Sequence, residues 1–220
     1  MKILKNLSLY EQSIQKLEFC LFHMDYLKNK EELDLNDQIM INLLLNVFKS
    51  SMEYSLQNLK LSNNISKNKK VYIPNKMELK SVVKFYEILN ERFGINDKKG
   101  REIFDNLFSR GTYIQFNSMQ NKEKHTRINI QTKNITKGIG YSEQNGLTIK
   151  GVSITGKEDN VDNLIMVNNN QIDYDKVKGY SYEEEIYFEY NNREVFEFLD
   201  EVYQMVNNFV ININEYIEYH

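Results

Sequence analysis

Residues 114–131 read I-Q-F-N-S-M-Q-N-K-E-K-H-T-R-I-N-I-Q, and inside them the period of the chain changes. Upstream, apolar residues recur every three or four positions, the spacing of one face of an α-helix. From Arg127 onward Ile128 and Ile130 alternate with Asn129 and Gln131, the period of a half-buried strand. The switch sets the expected fold class as mostly α (α+β). We expect an antiparallel helical bundle of four to five long helices, with a small antiparallel β insertion before the C-terminal helix. The polar, histidine-bearing segment at the junction is the first place to look for a site.

Working upstream, residues 3–28 predict an amphipathic helix on the stripe Ile14, Leu17, Leu21, Met24 and Leu27. A second helix starts at Asp34 or Asn36, either of which can cap it, and runs to Leu61. Its stripe of Ile39, Leu43, Val47, Met52, Leu56 and Leu59 is flanked by Ile41, Leu44, Leu45 and Phe48, which suggests burial on two sides. The two helices are expected to form an antiparallel hairpin. Residues 62–75 form a lysine-rich loop holding the only proline, Pro74, and Val71-Tyr72-Ile73 reads either as a short strand or as a docking segment. A third helix is expected from Met77 to Phe93, stopped by Gly94 at its C-cap. The fourth begins at Asp97, and Gly111 either kinks or divides it before His125.

Downstream, strand-like runs recur at 147–155, 163–168 and 184–190, Asn169-Asn170 is turn-like, and glycines at 138, 140, 146 and 156 punctuate the rest. Residues 192–219 return to helical spacing on Val195, Leu199, Val202, Val206, Phe209, Ile213 and Tyr216. The expected organisation is a single domain over 1–220. It has a helical part at 1–126, a β insertion at 127–190, and a last helix at 191–220 that packs back on the bundle.

The 220 residues are enough to bury a real core. A formal charge of −3 removes any global electrostatic case for nucleic acid or an anionic membrane as partner. A local basic patch remains open through Lys67, Lys69, Lys70, Lys122, Lys124 and Arg127. Lone Cys20 excludes an intramolecular disulfide and a multi-cysteine metal site, and reads as a small buried apolar residue. No apolar run approaches the roughly 18–20 residues of a membrane span, and the start does not resemble a signal peptide, so no membrane association and a cytoplasmic location are expected.

No glycine-rich phosphate loop, H-E-x-x-H, G-x-S-x-G or cysteine pair is present, so neither a cofactor nor a metal is expected. His23 has no companion at ligand spacing and His220 is terminal. That leaves His125, and an imidazole is a side chain able to move a proton to or from a ribose hydroxyl. Lys122, Lys124 and Arg127 lie close enough to support charge on a phosphate, and Asn121 supplies a donor and an acceptor. In a helix Asn121 and His125 share a face. A solvated helix end rich in Lys, Asn and Glu would show the same residue types.

The frame Gln120-Asn121-Lys122-Glu123-Lys124-His125 resembles the hallmark of the HEPN superfamily, Arg followed after four to six residues by His, commonly Arg-Asn-x-x-x-His. These are small α-helical proteins of toxin–antitoxin, abortive-infection and other antiviral defence systems. The resemblance implies a homodimer in which Arg and His of two protomers meet at a cleft and cleave RNA without metal, the ribose 2′-hydroxyl attacking. Carried over, His125 is the general acid or base and Asn121 positions. Gln120 stands where the arginine belongs, and Lys122, Lys124, Arg127 and Arg110 are the RNA-binding cations. Gln120 departs from the pattern because it carries no fixed charge, and the β insertion exceeds a minimal member. Two readings follow: a protein that binds or senses RNA, or a phage or antitoxin protein, with a degenerate site, and an active metal-independent ribonuclease.

Overall fold

Two reciprocal capping boxes start the first two helices. In α1 (Leu9–Lys28) Ser8 Oγ accepts from the Glu11 N–H at 3.2 Å while the Glu11 carboxylate accepts from the Ser8 N–H at 2.7 Å. In α2 (Leu35–Ser62) the Asp34 and Asp37 carboxylates do the same at 3.0 and 2.8 Å, which makes Asp34 the cap. The computed structural model describes residues 3–66, 68–144, 146–157, 166–167 and 170–220. Its fold is α+β, with six helices and a four-stranded antiparallel sheet among the described residues. Two compact units partition the chain, one made of 1–129 and 196–220 and the other of 130–195.

In the helical unit α1 and α2 run antiparallel. The Ser13 and Ser51 hydroxyls each donate to the other's carbonyl, at 3.1 and 3.0 Å, and these small side chains let the helices approach closely. The shared core takes Leu17, Cys20, Met24 and Leu27 from α1 and Ile41, Leu44, Leu45, Phe48, Met52, Leu56 and Leu59 from α2. Burial pushes the Cys20 thiol up to about 12 against the weaker opposing pull of Lys16, as befits an inert packing residue. The expected stripes are corrected here. Ile39, Leu43 and Leu21 point outward, because in α2 the neighbouring row of Ile41, Leu44, Leu45 and Phe48 is equally apolar and wins the core.

Ile73 docks into the core and no strand forms at 71–73. Arg92 stacks on the Tyr72 ring with its guanidinium 4.3 Å from the centroid. The third helix begins later than its spacing predicts. Met77 sits exposed in a 3-10 turn at Lys76–Glu78, and α3 (Val82–Phe93) starts only where Ser81 caps the Lys84 N–H. It ends at Gly94, whose φ of 75° is left-handed and whose missing Cβ would stand 2.8 Å from that of Asn63. Asp97 caps α4 (Lys98–Phe108), and Gly111, at φ 72°, divides it from α5 (Thr112–His125). In α6 (Val195–Tyr219) every residue of the expected stripe is buried. Phe104 links this core, stacking on Phe93 at 5.9 Å and meeting Phe209 edge-on at 5.6 Å. The Tyr216 hydroxyl donates to Asp97 at 2.5 Å, tying the end of α6 to the start of α4.

In the second unit β1 (Gln131–Gln144) is the central strand, pairing antiparallel with β2 (Leu147–Lys157) and with β5 (Lys178–Phe188), which also pairs with β6 (Arg193–Glu194). The pair β3 (Met166–Val167) and β4 (Asn170–Gln171) stands as a second ladder. Ile139 and Ile172 are the centre of a small core covered by Ile149, Ile154, Tyr174 and Val177. Gly138 lies so close to β5 that a Cβ there would stand 2.1 Å from the Ser181 hydroxyl. Of the expected run at 163–168 only Met166 and Val167 fall within the described residues, and Asn169 of the expected turn lies outside them.

Candidate functional site

The site frame is set by how α5 packs on α2. The Asn46 amide donates to Glu123 at 3.1 Å and the Lys49 ammonium to Asn117 at 2.8 Å, so the two helices run antiparallel along a polar seam. The seam ends at Asn129, whose main-chain N–H and C=O are both taken by the Asn42 side chain, each at 3.0 Å. This clamp corrects the expectation that Ile128 and Ile130 form a half-buried strand. Both are exposed, Asn129 is buried, and the strand starts only at Gln131.

On α5, Tyr113, Phe116, Met119 and Gln120 are buried, while Asn121 and His125 stay exposed, one turn apart on one face. Gln120 is 1 % exposed, and neither its amide oxygen nor its amide nitrogen has a hydrogen-bond partner. Helical geometry puts Gln120 about 140° around the axis from His125. Burial and the Glu53 charge together raise the Tyr113 hydroxyl well above its ordinary range, and that hydroxyl too lacks a partner.

The candidate cations come from different parts of the chain. Arg127 follows the helix on the exposed loop, and Lys122 is half-buried. Arg110 stands ahead of the other end of α5, which puts it about 20 Å from His125 along the axis. The Lys124 side chain and Lys67 lie outside the described residues. Lys69 is paired with Glu91 at 2.5 Å, and Lys70 sits over the Tyr72 ring at 5.4 Å. His23 is wedged between Phe19 and Phe22, with ring centroids at 4.2 and 5.2 Å. Among the described residues no three His, Cys, Asp or Glu side chains gather to hold a metal, and no helix is long and apolar enough to cross a membrane.

A concavity of about 510 Å³ opens between α4, the start of α5 and α6. Ile103, Leu107, Met205 and Phe209 floor it. Its two carboxylates are engaged, Asp200 by Lys28 at 2.7 Å and Glu201 by the Thr112 hydroxyl at 3.0 Å. The amides on its rim were missed by the sequence reading, although Gln204, Asn208 and Asn212 recur every fourth residue opposite the apolar stripe of α6. Compared with known proteins, the chain matches no family model, no curated protein and no solved structure.

Proposed function

We propose that the protein is a HEPN-like component of a phage-defence or toxin–antitoxin system that acts in the cytoplasm by binding a protein partner, with its cleavage site lapsed. In this reading the helical unit is an antiparallel bundle of the HEPN kind, working as a homodimer. The observation that carries it is Gln120. The position that would hold the family's arginine is buried and uncharged, on a different face from His125. A guanidinium there would have to be desolvated inside the helical core, away from any phosphate that His125 could reach. The net charge of −3 fits a protein partner better than a polyanion.

The second reading, a metal-independent ribonuclease with His125 as general acid or base, draws on one observation: Asn121 and His125 lie together on the exposed face of α5. The test is incubation of total cellular RNA in EDTA with the purified protein and with His125→Ala. We expect no cleavage by either protein. Cleavage by the wild type that disappears in His125→Ala would overturn the binding reading in favour of the nuclease.

A further inference from the structure

We propose that the cleft between α4 and α6 takes an extended peptide segment of the partner protein, gripped through its main chain by a row of amides and anchored by a carboxylate on Arg110. The inference rests on the reading of the protein as a binder of another protein. The row is Gln204, Asn208 and Asn212, faced across the floor by Asn106. None of these four amides, nor the Arg110 guanidinium, makes a hydrogen bond or ion pair with a described residue. Some other amides in the helical unit are tied down, such as Asn29 to Asp25, Asn63 to Phe93 and Asn214 to Glu218, at 2.7 to 2.8 Å.

The spacing selects an extended chain. Residues four apart on α6 are separated by about 6 Å along the axis. Groups on one side of an extended chain repeat every two residues, roughly 6.6–6.8 Å. Three successive turns of α6 therefore keep step with about five residues of extended peptide. An amide carries one donor and one acceptor, which is what a peptide unit offers in return. The molecule already contains this contact, since Asn42 on α2 holds both main-chain groups of the non-helical residue Asn129 at 3.0 Å. Between the amides Ile103, Leu107, Met205 and Phe209 offer an apolar floor for alternate side chains. At the other end Asp200 and Glu201 already have partners, so Arg110 is the one charge on the rim free to attract a carboxylate.

The test uses the full chain and pooled fluorescein-labelled hexapeptides with apolar residues at alternate positions, made with a free or an amidated C-terminal carboxyl. Fluorescence anisotropy should show saturable binding of the free-acid pool and about tenfold weaker binding of the amidated one. Arg110→Gln should weaken the free acid about tenfold and leave the amide unchanged. Asn208→Ala should weaken both pools, and N-methylation at alternate peptide nitrogens should do the same, which a helical ligand in an apolar groove would not require. These residues are exposed, so the variants should keep the wild-type melting temperature. Failure of the wild type to bind any pool, or binding indifferent to both substitutions, overturns the proposal for the cleft. If RNA also stays uncleaved, the wider reading of a binding protein survives that failure. RNA cleavage dependent on His125 would remove both.

Discussion

Gln120 and Asn121 are neighbours in the chain and face opposite environments, because one residue of helix turns the side chain by about 100°. Asn121 meets water, and Gln120 is buried with both polar atoms unpaired. A buried amide without partners costs about 1–3 kcal/mol, which the packing around position 120 has to offset. Asp37 is the opposite case, a buried carboxylate with its partners in place. It accepts from the Lys30 ammonium and from the Asp34 N–H at 2.8 Å. Burial by itself would raise its carboxyl, but the Lys30 hydrogen bond, the Asp34 main-chain bond and the Lys30 charge together outweigh that and hold it below the usual range. The folded-state value lies below the unfolded one. The stability from Asp37 is therefore complete above the ordinary value of 3.8 and lost as pH falls through the lower folded value. Urea titrations from pH 7 to pH 2.5 should show a stability loss at the acid end that is smaller in Asp37→Asn. Equal acid sensitivity of the two proteins would contradict the assignment.

The α2–α5 seam decides where the helical unit hands over to the sheet. Asn42 replaces water at both main-chain groups of Asn129, the last residue before the inserted unit of 130–195. Asn42→Ala should destabilise the protein by about 2–3 kcal/mol, since it strands a buried N–H and C=O together. Asn42→Asp, which sets a buried carboxylate oxygen against the Asn129 carbonyl, should be at least as destabilising at neutral pH. Chemical denaturation followed by far-ultraviolet circular dichroism measures both, and a loss under about 0.5 kcal/mol for the alanine variant would mean that water takes over the contacts. The same clamp shows what the sequence could and could not reveal. The start of α4 at Asp97, the stop at Gly94 and the whole stripe of α6 were legible, and Asp34 was one of two caps open for α2, because each depends on residues within a turn or two. In α2 two apolar rows lie side by side, Ile39–Leu43 and Ile41–Leu44–Leu45–Phe48, and periodicity ranks them equally. Only packing against α1 put the second inside. Ile128-Asn129-Ile130 was misread because the partner that buries Asn129 sits 87 positions earlier in the chain. At the candidate site the shared face of Asn121 and His125 was legible from spacing. The burial of Gln120 and the joining of Asn106 and Arg110 to the amide row of α6 depend on long-range packing and were not.

At the scale of the molecule, the α1–α2 hairpin keeps an apolar surface that its own core does not use. Phe19, Phe22 and Tyr26 recur at helical spacing on α1 and are 45 %, 69 % and 54 % exposed. At 150–250 Å² per ring, the three leave roughly 300 Å² of aromatic surface in water. Leu35, Ile39 and Leu43 add an outward row on α2, also exposed. An isolated exposed leucine is ordinary, but three exposed rings in a row on one helix approach the largest patch that a typical monomer shows, about 300–600 Å². A lasting interface needs about 800 Å² from each partner, which such rows and their polar margins can supply to a second copy. The proposed homodimer is therefore expected to form through this hairpin. Phe22 is its test residue, because it is the most exposed of the three rings and an aspartate there reaches water in the free chain without entering the core. Light scattering after size exclusion should give the wild type twice the 26.3 kDa of one chain and Phe22→Asp the single-chain mass, with unchanged circular dichroism. A wild type that runs as a monomer at tens of micromolar would remove the dimer, and with it the expectation that two copies of His125 face a common cleft.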